Sequence, residues 1–193
     1  TLAGNTGSVS FVENSGFAIG TVNTVGLTTS GDLTLSSTGT VTQSQKIAAA
    51  GLELLGTNGI YTLTNTSNAI TTLAGNTATV SLVENSGFAI GTVNTVGLTT
   101  SGNTTLSSTG TVTQSAAITA AGLELLGSGG TYTLTNTGNA ITTLAGNTGT
   151  VSLVENSGFA IGTVNTVGFT AATSLTLSST GTVTQSNLIS TPS

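Results

Sequence analysis

The side chains that could do acid–base chemistry are few in this 193-residue chain. Six acids and one lysine are present, whereas histidine, cysteine and arginine are absent. These ionisable residues are Glu13, Glu53, Glu84, Glu124, Glu155, Asp32 and Lys46. Hydrolysis or elimination on a polysaccharide needs paired carboxylates, or a base assisted by a cation. Any such chemistry would therefore have to be assembled from these seven groups.

The chain consists of copies of one 71-residue unit. The phrase TLAGNT begins at Thr1, Thr72 and Thr143, and nearly all of the intervening sequence follows the same period. The copies cover residues 1–71, 72–142 and, in part, 143–193. Residues 1–193 thus form a single repeat array. Thr1 opens no signal peptide, because a basic region and an apolar region are both missing there, so we interpret the array as an internal fragment of a longer protein.

Comparison of the copies argues against a catalytic site. The lysine and the aspartate each occur in the first copy only. Lys46 is replaced by Ala117 and Leu188, and Asp32 is replaced by Asn103 and Ser174. A base assisted by a cation cannot recur with the repeat. We therefore predict that the chain is not an enzyme and that it has no catalytic, cofactor-binding or metal site.

The repeated glutamates have a simpler interpretation than ligand binding. Glu13, Glu84 and Glu155 each lie in the phrase VENSG, where we expect a solvated charge at a corner that limits sideways aggregation. Glu53 and Glu124 repeat in the same way. Calcium-binding solenoids carry aspartates in GGxGxD turns, and these are missing. The glycine-rich phrases GNTG and GSGG lack the lysine and the helix of a phosphate-binding loop.

Composition narrows the class of protein. Charged residues make up 4% of the chain, against roughly 25% in typical soluble proteins. One lysine cannot neutralise a phosphate backbone, so nucleic acid is excluded as a partner. The absence of cysteine excludes disulfides. The most apolar stretch, Ile47 to Gly56, is too short for a membrane helix and contains Glu53.

Apolar residues alternate with small polar ones, which predicts strands. The pattern is clear in TYTLTNT from Thr131, TVSLVEN from Thr150 and SLTLSST from Ser174. The one helical candidate, Gln45 to Gly56, is interrupted by Gly51 and is interpreted as two strands around a corner. The fold class predicted is therefore all-β.

Strict long-range repetition favours a β-solenoid, that is, a parallel β-helix. Segments of about two dozen residues cannot bury an apolar face alone and must stack on their neighbours. We prefer three coils per period, with four shorter coils as the alternative. Equivalent residues should then recur along one line of a rod of roughly 40 Å. The expected inward positions are Phe17, Phe88, Phe159, Ile19, Ile90, Ile161, Leu35, Leu106 and Leu177, and Tyr61 and Tyr132 are also expected to pack.

The ends of such a rod would each expose a row of unpaired backbone donors and acceptors. We therefore expect this chain to self-associate end to end.

Several phrases resemble the repeats of filamentous-haemagglutinin-like large exoproteins. They are GTVTQS, ITAAGLELLG, GGTYTLTNTGNAITTLAGNTG and FAIGTVNTVGLTTSGNTTLSSTG, and together they cover essentially the whole chain. The resemblance implies a right-handed parallel β-helix at the bacterial cell surface or outside the cell. It also implies export through an outer-membrane secretion partner or an autotransporter domain, and a role in attachment, biofilm or contact between cells.

These observations lead to two expected functions. The first is a non-catalytic structural repeat region, either an adhesin stalk or a self-assembling extracellular filament. The alternative is a multivalent surface-binding module whose repeated face recognises glycan, a host surface or ice. A glycan-binding face usually presents exposed aromatic rings, and aromatic residues make up only 4% of the chain. No regular TxT lattice recurs to match ice.

Overall fold

The structure is a computed structural model that describes residues 1–192. All regular elements of the described residues are β-strands. The strands are β1 Gly4–Thr6, β2 Val9–Glu13, β3 Gly16–Ile19, β4 Leu27–Thr29, β5 Asp32–Ser37, β6 Thr40–Gln43, β7 Ile47–Leu63, β8 Ala69–Val83, β9 Ala89–Ile90, β10 Leu98–Thr100, β11 Asn103–Ser107, β12 Thr111–Gln114, β13 Ile118–Leu134, β14 Ala140–Glu155, β15 Ala160–Ile161, β16 Phe169–Ser179, β17 Thr184–Gln185 and β18 Ile189–Ser190.

The strands stack in parallel, coil upon coil, and so confirm the predicted β-solenoid. One ladder of paired residues runs through nine successive coils. Its members are Phe17, Val41, Tyr61, Val80, Thr104, Leu123, Leu144, Ile161 and Gln185. The mean spacing between successive coils is about 21 residues.

Each coil has three sides that point apolar residues inward. In one coil near the N-terminus the first side carries Leu33, the second side carries Val41 and the third side carries Ile47. Leu33 pairs with Leu52 in the next coil, and Val41 pairs with Tyr61. The names first, second and third side are kept below for the ladders to which these residues belong.

The 71-residue copy spans three coils and one further side. Pairing carries the first side from Val9 through Leu33 and Leu52 to Leu73 in three coils, which stops short of Val80, the equivalent of Val9. Val80 instead pairs with Tyr61 on the second side. Each copy is therefore rotated by one third of a turn relative to the preceding copy.

This rotation contradicts the expectation that equivalent residues share one line. Glu13, Glu84 and Glu155 lie at three different positions around the rod, and so do the copies of every other residue. The cause is that 71 residues exceed three coils: the pairing from Val9 to Leu73 takes up 73 − 9 = 64 residues, and the remaining 71 − 64 = 7 reach the next side. The coils are also uneven in length, since along one ladder the step from Leu73 to Ile90 is short and the following step, from Ile90 to Gln114, is distinctly longer.

The predicted inward residues form the core. Within the stacked coils Ile19, Ile90, Ile161, Leu35 and Leu106 are at most 1% exposed. Phe88 and Phe159 are buried, whereas Phe17 and Leu177 are partly buried near the ends of the described chain and pack against the same core. Each fully buried side chain contributes on the order of 2 kcal/mol.

The segment from Gln45 to Gly56 is extended, as predicted. From Ile47 onward it belongs to β7, in which Ile47 and Ala49 point inward, followed by Leu52 and Leu54. The inward alternation changes phase between Ala49 and Leu52, since these residues are three apart instead of two. A change of side at this point accounts for the phase change, because the strand must keep both apolar pairs in the core.

Polar groups inside the corners are fully bonded. The Asn68 amide donates to the carbonyls of Leu63 and Val83, and its Oδ1 accepts from the Ile47 N–H at 2.8 Å. Gln43 completes the arrangement through two bonds with the same amide. Asn139 repeats this pattern one copy later. Every buried side-chain nitrogen and oxygen of the described residues has a hydrogen-bond partner.

Candidate functional site

The phrase GTVNTVG forms three loops that leave the coil and return to it. They comprise residues 20–26, 91–97 and 162–168, and are called the first, second and third clasp loops below. In the second loop Thr92 and Val96 form an antiparallel bridge, and the Gly97 N–H donates to the Gly91 carbonyl at 2.8 Å. The final glycine of each loop has φ between 73° and 76°, a conformation that glycine adopts without strain.

The second clasp loop covers the outside of the preceding coil. Ile90 and Leu98, which flank the loop, pair with Leu73 and Gly75, so that only Ala74 lies opposite the loop residues. The surplus residues fold outward and back over the rod. Ala74 is fully buried as a result, although the alternation of the strand directs its side chain away from the core.

The tip of this loop reaches Glu53, two coils earlier and in the preceding copy. The carboxylate accepts the Thr95 N–H at 2.7 Å, the Thr95 hydroxyl at 2.6 Å and the Asn94 amide at 2.9 Å. Thr34, on the preceding strand of the stack, donates its hydroxyl at 2.7 Å. Glu53 is consequently only 2% exposed. This cluster is called the first latch.

The second latch repeats the arrangement one copy later and on a different side of the rod. Glu124 accepts from the Thr166 N–H at 2.6 Å, the Asn165 amide at 2.7 Å and the Thr105 hydroxyl at 2.8 Å. Its exposure is 1%. The third clasp loop therefore binds the second copy as the second clasp loop binds the first.

Both latch carboxylates are held in the charged form. Burial raises the pKa of Glu53, but hydrogen bonds from Asn94, Thr95 and Thr34 outweigh this effect and leave the pKa below its usual value. For Glu124 burial likewise raises the pKa, and bonds from Thr166, Asn165 and Thr105 lower it further than burial raises it. Hydrogen bonds to a charged acceptor are stronger than neutral ones, so each latch is a polar contact of substantial strength.

A glycine clears the space that the loop needs. A Cβ atom on Gly51 would lie 2.5 Å from the Asp32 Oδ1 and 3.0 Å from both methyl groups of Val93. Gly122 stands in the same relation to Asn103 and Val164. The glycine of GLELLG therefore permits the valine of the clasp loop to pack against the strand.

The first clasp loop has the same sequence but, within the part of the chain that the structure describes, makes no such contact. The position two coils before this loop would precede Thr1, so the described residues include no strand of this kind beneath it. Val22 in this loop is 60% exposed, whereas the equivalent Val93 and Val164 are partly buried. The later valines are therefore covered by a strand of an earlier coil, where they lie against Gly51 and Gly122.

The VENSG glutamates lie at corners, as predicted, but two of them are not solvated. Glu84 and Glu155 are both fully buried. The Glu84 carboxylate accepts the Ser86 hydroxyl at 2.5 Å and the Gly87 N–H at 2.6 Å, and so closes its own turn. The interpretation as a solvated charge was wrong because a corner exposes backbone N–H groups that need an acceptor.

The pKa values of two corner carboxyls reflect these bonds. At Glu13, which is partly exposed, the hydroxyl of Ser15 is the largest influence and lowers the pKa. At Glu155 burial raises the pKa, while bonds from Ser157, Gly158 and Ile141 lower it below the usual value. These carboxylates therefore serve as turn-closing acceptors.

The two tyrosines lie in the core, as expected. Tyr61 and Tyr132 are fully buried. The Tyr132 hydroxyl accepts the Ser108 N–H at 2.9 Å and lies 2.6 Å from the Leu126 carbonyl oxygen. Burial raises the pKa of Tyr61 to about 12 and also raises the pKa of Tyr132. Neither ring is available to stack against a ligand.

The remaining ionisable side chains, Asp32 and Lys46, are both exposed. Among residues 1–192 there is no group of three or more histidine, cysteine, aspartate or glutamate side chains that could hold a metal ion. Asp32 pairs with Gly51, and Thr34 pairs with Glu53 on the same two neighbouring strands. Asp32 and Glu53 are therefore diagonal neighbours.

The latches were not predicted from the sequence. Their parts are far apart along the chain, and only the stacking of three coils brings them together. One signal was available, namely a glutamate at an outward strand position between leucines in both copies of GLELLG. Chemically, each latch binds a carboxylate through hydrogen-bond donors, and this carboxylate belongs to a glutamate of the same chain.

Among the residues that the structure describes, no helix has the length and apolarity to cross a membrane. Comparisons of the chain with family models, with curated proteins and with solved structures gave no match.

Proposed function

We propose that the chain is a non-catalytic structural repeat region of a bacterial fibrous protein that is secreted or displayed on the cell surface. In this role the solenoid is either a haemagglutinin-like stalk that holds another part of the protein away from the cell, or a self-assembling extracellular filament. The resemblance of its phrases to filamentous-haemagglutinin-like exoproteins supports the family, the location and export by a dedicated secretion partner.

The observation that carries the proposal is the use of the carboxylates. Glu53, Glu84, Glu124 and Glu155 are each at most 2% exposed and engaged by donors of the same chain. Groups committed in this way stabilise the fold and are poorly placed for acid–base work on a substrate. A rod whose buried charges all brace its own coils fits a mechanical role.

Continuity of the core supports the same role. The buried apolar residues form one cluster along the stacked coils, and the latches join each copy to the preceding one on the outside. A load along the axis is therefore shared by parallel backbone bonds and by buried charged hydrogen bonds. Self-association end to end is the proposed mode of assembly, because the ends of such a rod present unpaired backbone donors and acceptors.

Electron microscopy of the native assembly tests this proposal. Gold-labelled antibodies against the clasp-loop phrase should mark thin rods that extend from the producing cells or lie free outside them, with repeated labels along each rod. Labelling confined to the cell interior, or on compact particles, would overturn it.

The alternative function, a multivalent surface-binding module, is favoured by one observation. A groove of about 450 Å³ lies beside the second latch, and its lining includes the polar side chains of Ser81, Asn103, Thr105 and Asn165. The equivalent groove at the first latch, of about 290 Å³, is lined by Ser10, Asp32, Thr34 and Asn94, among others. Hydroxyl and amide groups of this kind can hydrogen-bond to the hydroxyls of a neutral glycan.

A glycan array decides between the two functions. Binding that is lost on Asn103→Ala and retained on Asn147→Ala, an exposed change away from the groove, would favour the alternative. Substitution of the tyrosines would not be informative, because both rings are buried and their loss would disturb the core. An array without hits favours the structural role.

A further inference from the structure

The apolar ladder by itself specifies stacking poorly. Successive members of one ladder include Tyr61, Val80, Thr104 and Leu123, so very different side chains follow one another at the same inward position. None of these side chains is charged, so a shift of one coil would alter their packing but would leave no charge without a partner.

The outward positions at the latch are much more selective. Glu53 pairs with Thr34 of the preceding coil and with Ala74 of the following coil, and all three side chains point away from the core. If the second clasp loop moved by one coil in either direction, Asn94 and Thr95 would meet a hydroxyl or a methyl group instead of a carboxylate. Glu53 would at the same time lose three of its four donated bonds. Only one register satisfies both partners.

We propose that the clasp loop of each copy recognises the preceding copy through this carboxylate, so that Glu53 and Glu124 fix the register in which the copies stack; they are called register keys below. The partner of each clasp loop is the GLELLG strand of another copy of the repeat. This inference does not depend on whether the rod is a stalk, a filament or a binding module.

Backbone amide exchange in the intact chain, followed by NMR, tests the proposal. The Thr95 and Thr166 N–H groups lie in projecting loops and donate to the latch glutamates, whereas the Thr24 N–H occupies the same place in the loop without a latch. Thr95 and Thr166 should exchange at least about tenfold more slowly than Thr24. Equal exchange at all three positions would overturn the proposal without any mutation.

Variants then test the position of the carboxylate. Glu53→Ala should bring the exchange of Thr95 to the rate of Thr24 and leave Thr166 unchanged. Thr34→Glu combined with Glu53→Thr keeps the composition and moves the charge by one coil, about 4.8 Å. In this swapped chain Thr95 should also exchange like Thr24. Protection that survives in the swapped chain would show that the loop requires only a nearby charge, and would overturn the register key.

Glu13→Gln is the matched control, since it removes a carboxylate that closes a turn through bonds from Ser15 and Gly16. It should leave Thr95 and Thr166 unchanged. If Glu53→Ala prevents folding, Glu53→Gln retains the size of the side chain and one acceptor oxygen. Thr95 should then exchange faster than in the unmodified chain, and unchanged protection would count against the proposal.

Discussion

The second and first clasp loops share one sequence and differ in one circumstance. Loop 91–97 lies over a strand that carries Glu53, and its Val93 is partly buried. Loop 20–26 has no such strand beneath it among the residues described, and its Val22 is 60% exposed. The loop sequence alone therefore does not fix the packing of the loop, which is completed by a strand of another copy that carries a carboxylate.

Removal of a latch carboxylate should produce the largest effect on this comparison. Glu124→Ala deletes the acceptor of three donors and should lower the free energy of unfolding by about 2–4 kcal/mol, because bonds to a charged group are lost and the buried Thr105 hydroxyl is left without this acceptor. Urea denaturation provides the measurement. Glu13→Ala is the control, and a clearly smaller loss is expected from this more exposed turn. Equal losses would contradict the role of the latch.

Acid should weaken the latches in a smaller, graded way. The folded-state pKa of Glu53 and of Glu124 lies below the usual value of 4.5, so their stabilisation is complete above that pH and is lost as pH falls through the lower, folded-state pKa. Asp32 is the other carboxyl beside the first latch, whereas Asn103 takes its place at the second. Urea midpoints measured from pH 7 to pH 3 should therefore fall less steeply in a Glu53→Gln, Glu124→Gln variant. An unchanged slope would refute the assignment.

An added methyl group beneath the second clasp loop should push the loop away from Glu53 by steric contact with Val93. Gly51→Ala places a Cβ atom 3.0 Å from Val93 and 2.5 Å from Asp32, and should lower the free energy of unfolding by about 1–3 kcal/mol. Gly7→Ala is the matched control, because no atom lies within 4 Å of the added carbon. Thermal unfolding followed by circular dichroism distinguishes the two, and a control that is as unstable as Gly51→Ala would rule out the steric explanation.

The smallest effect is expected at the loop tip. Asn94→Ala removes one donor to Glu53 and should destabilise the chain by about 1 kcal/mol. Asn23→Ala makes the same change in the loop without a latch and should lie within about 0.5 kcal/mol of the unmodified chain. Paired urea titrations give the difference directly. A difference of zero would mean that the second loop is no more engaged than the first.

Much of the fold follows from local sequence pattern. Alternation of apolar and polar residues locates the strands and the inward side chains, because a strand has two faces and one must be dry. The corner at Gly51 and the packing of Tyr61 and Tyr132 follow from the same reasoning. Repetition adds that the coils must stack, since no coil can bury its apolar residues alone.

The rotation of the copies and the latches could not be predicted in this way. Both depend on the number of residues in each corner and loop. This number differs between coils, as the short step from Leu73 to Ile90 and the longer step from Ile90 to Gln114 show. This length is set by the tertiary pairing of neighbouring coils. The burial of Glu84 was not predicted for a related reason. The N–H group that the carboxylate binds belongs to a turn, and its direction is known only when the conformation of that turn is known.

Because each copy is rotated by one third of a turn, the three sides of a long rod would carry the same features. In a longer array with the same register, a clasp loop would return to the same azimuth only after three copies, or ten coils, a distance of about 48 Å. A flat surface lying along such a rod would touch every third loop, while the others point elsewhere. Bending stiffness would likewise be nearly equal in all directions, because the three sides of the rod become equivalent over three copies.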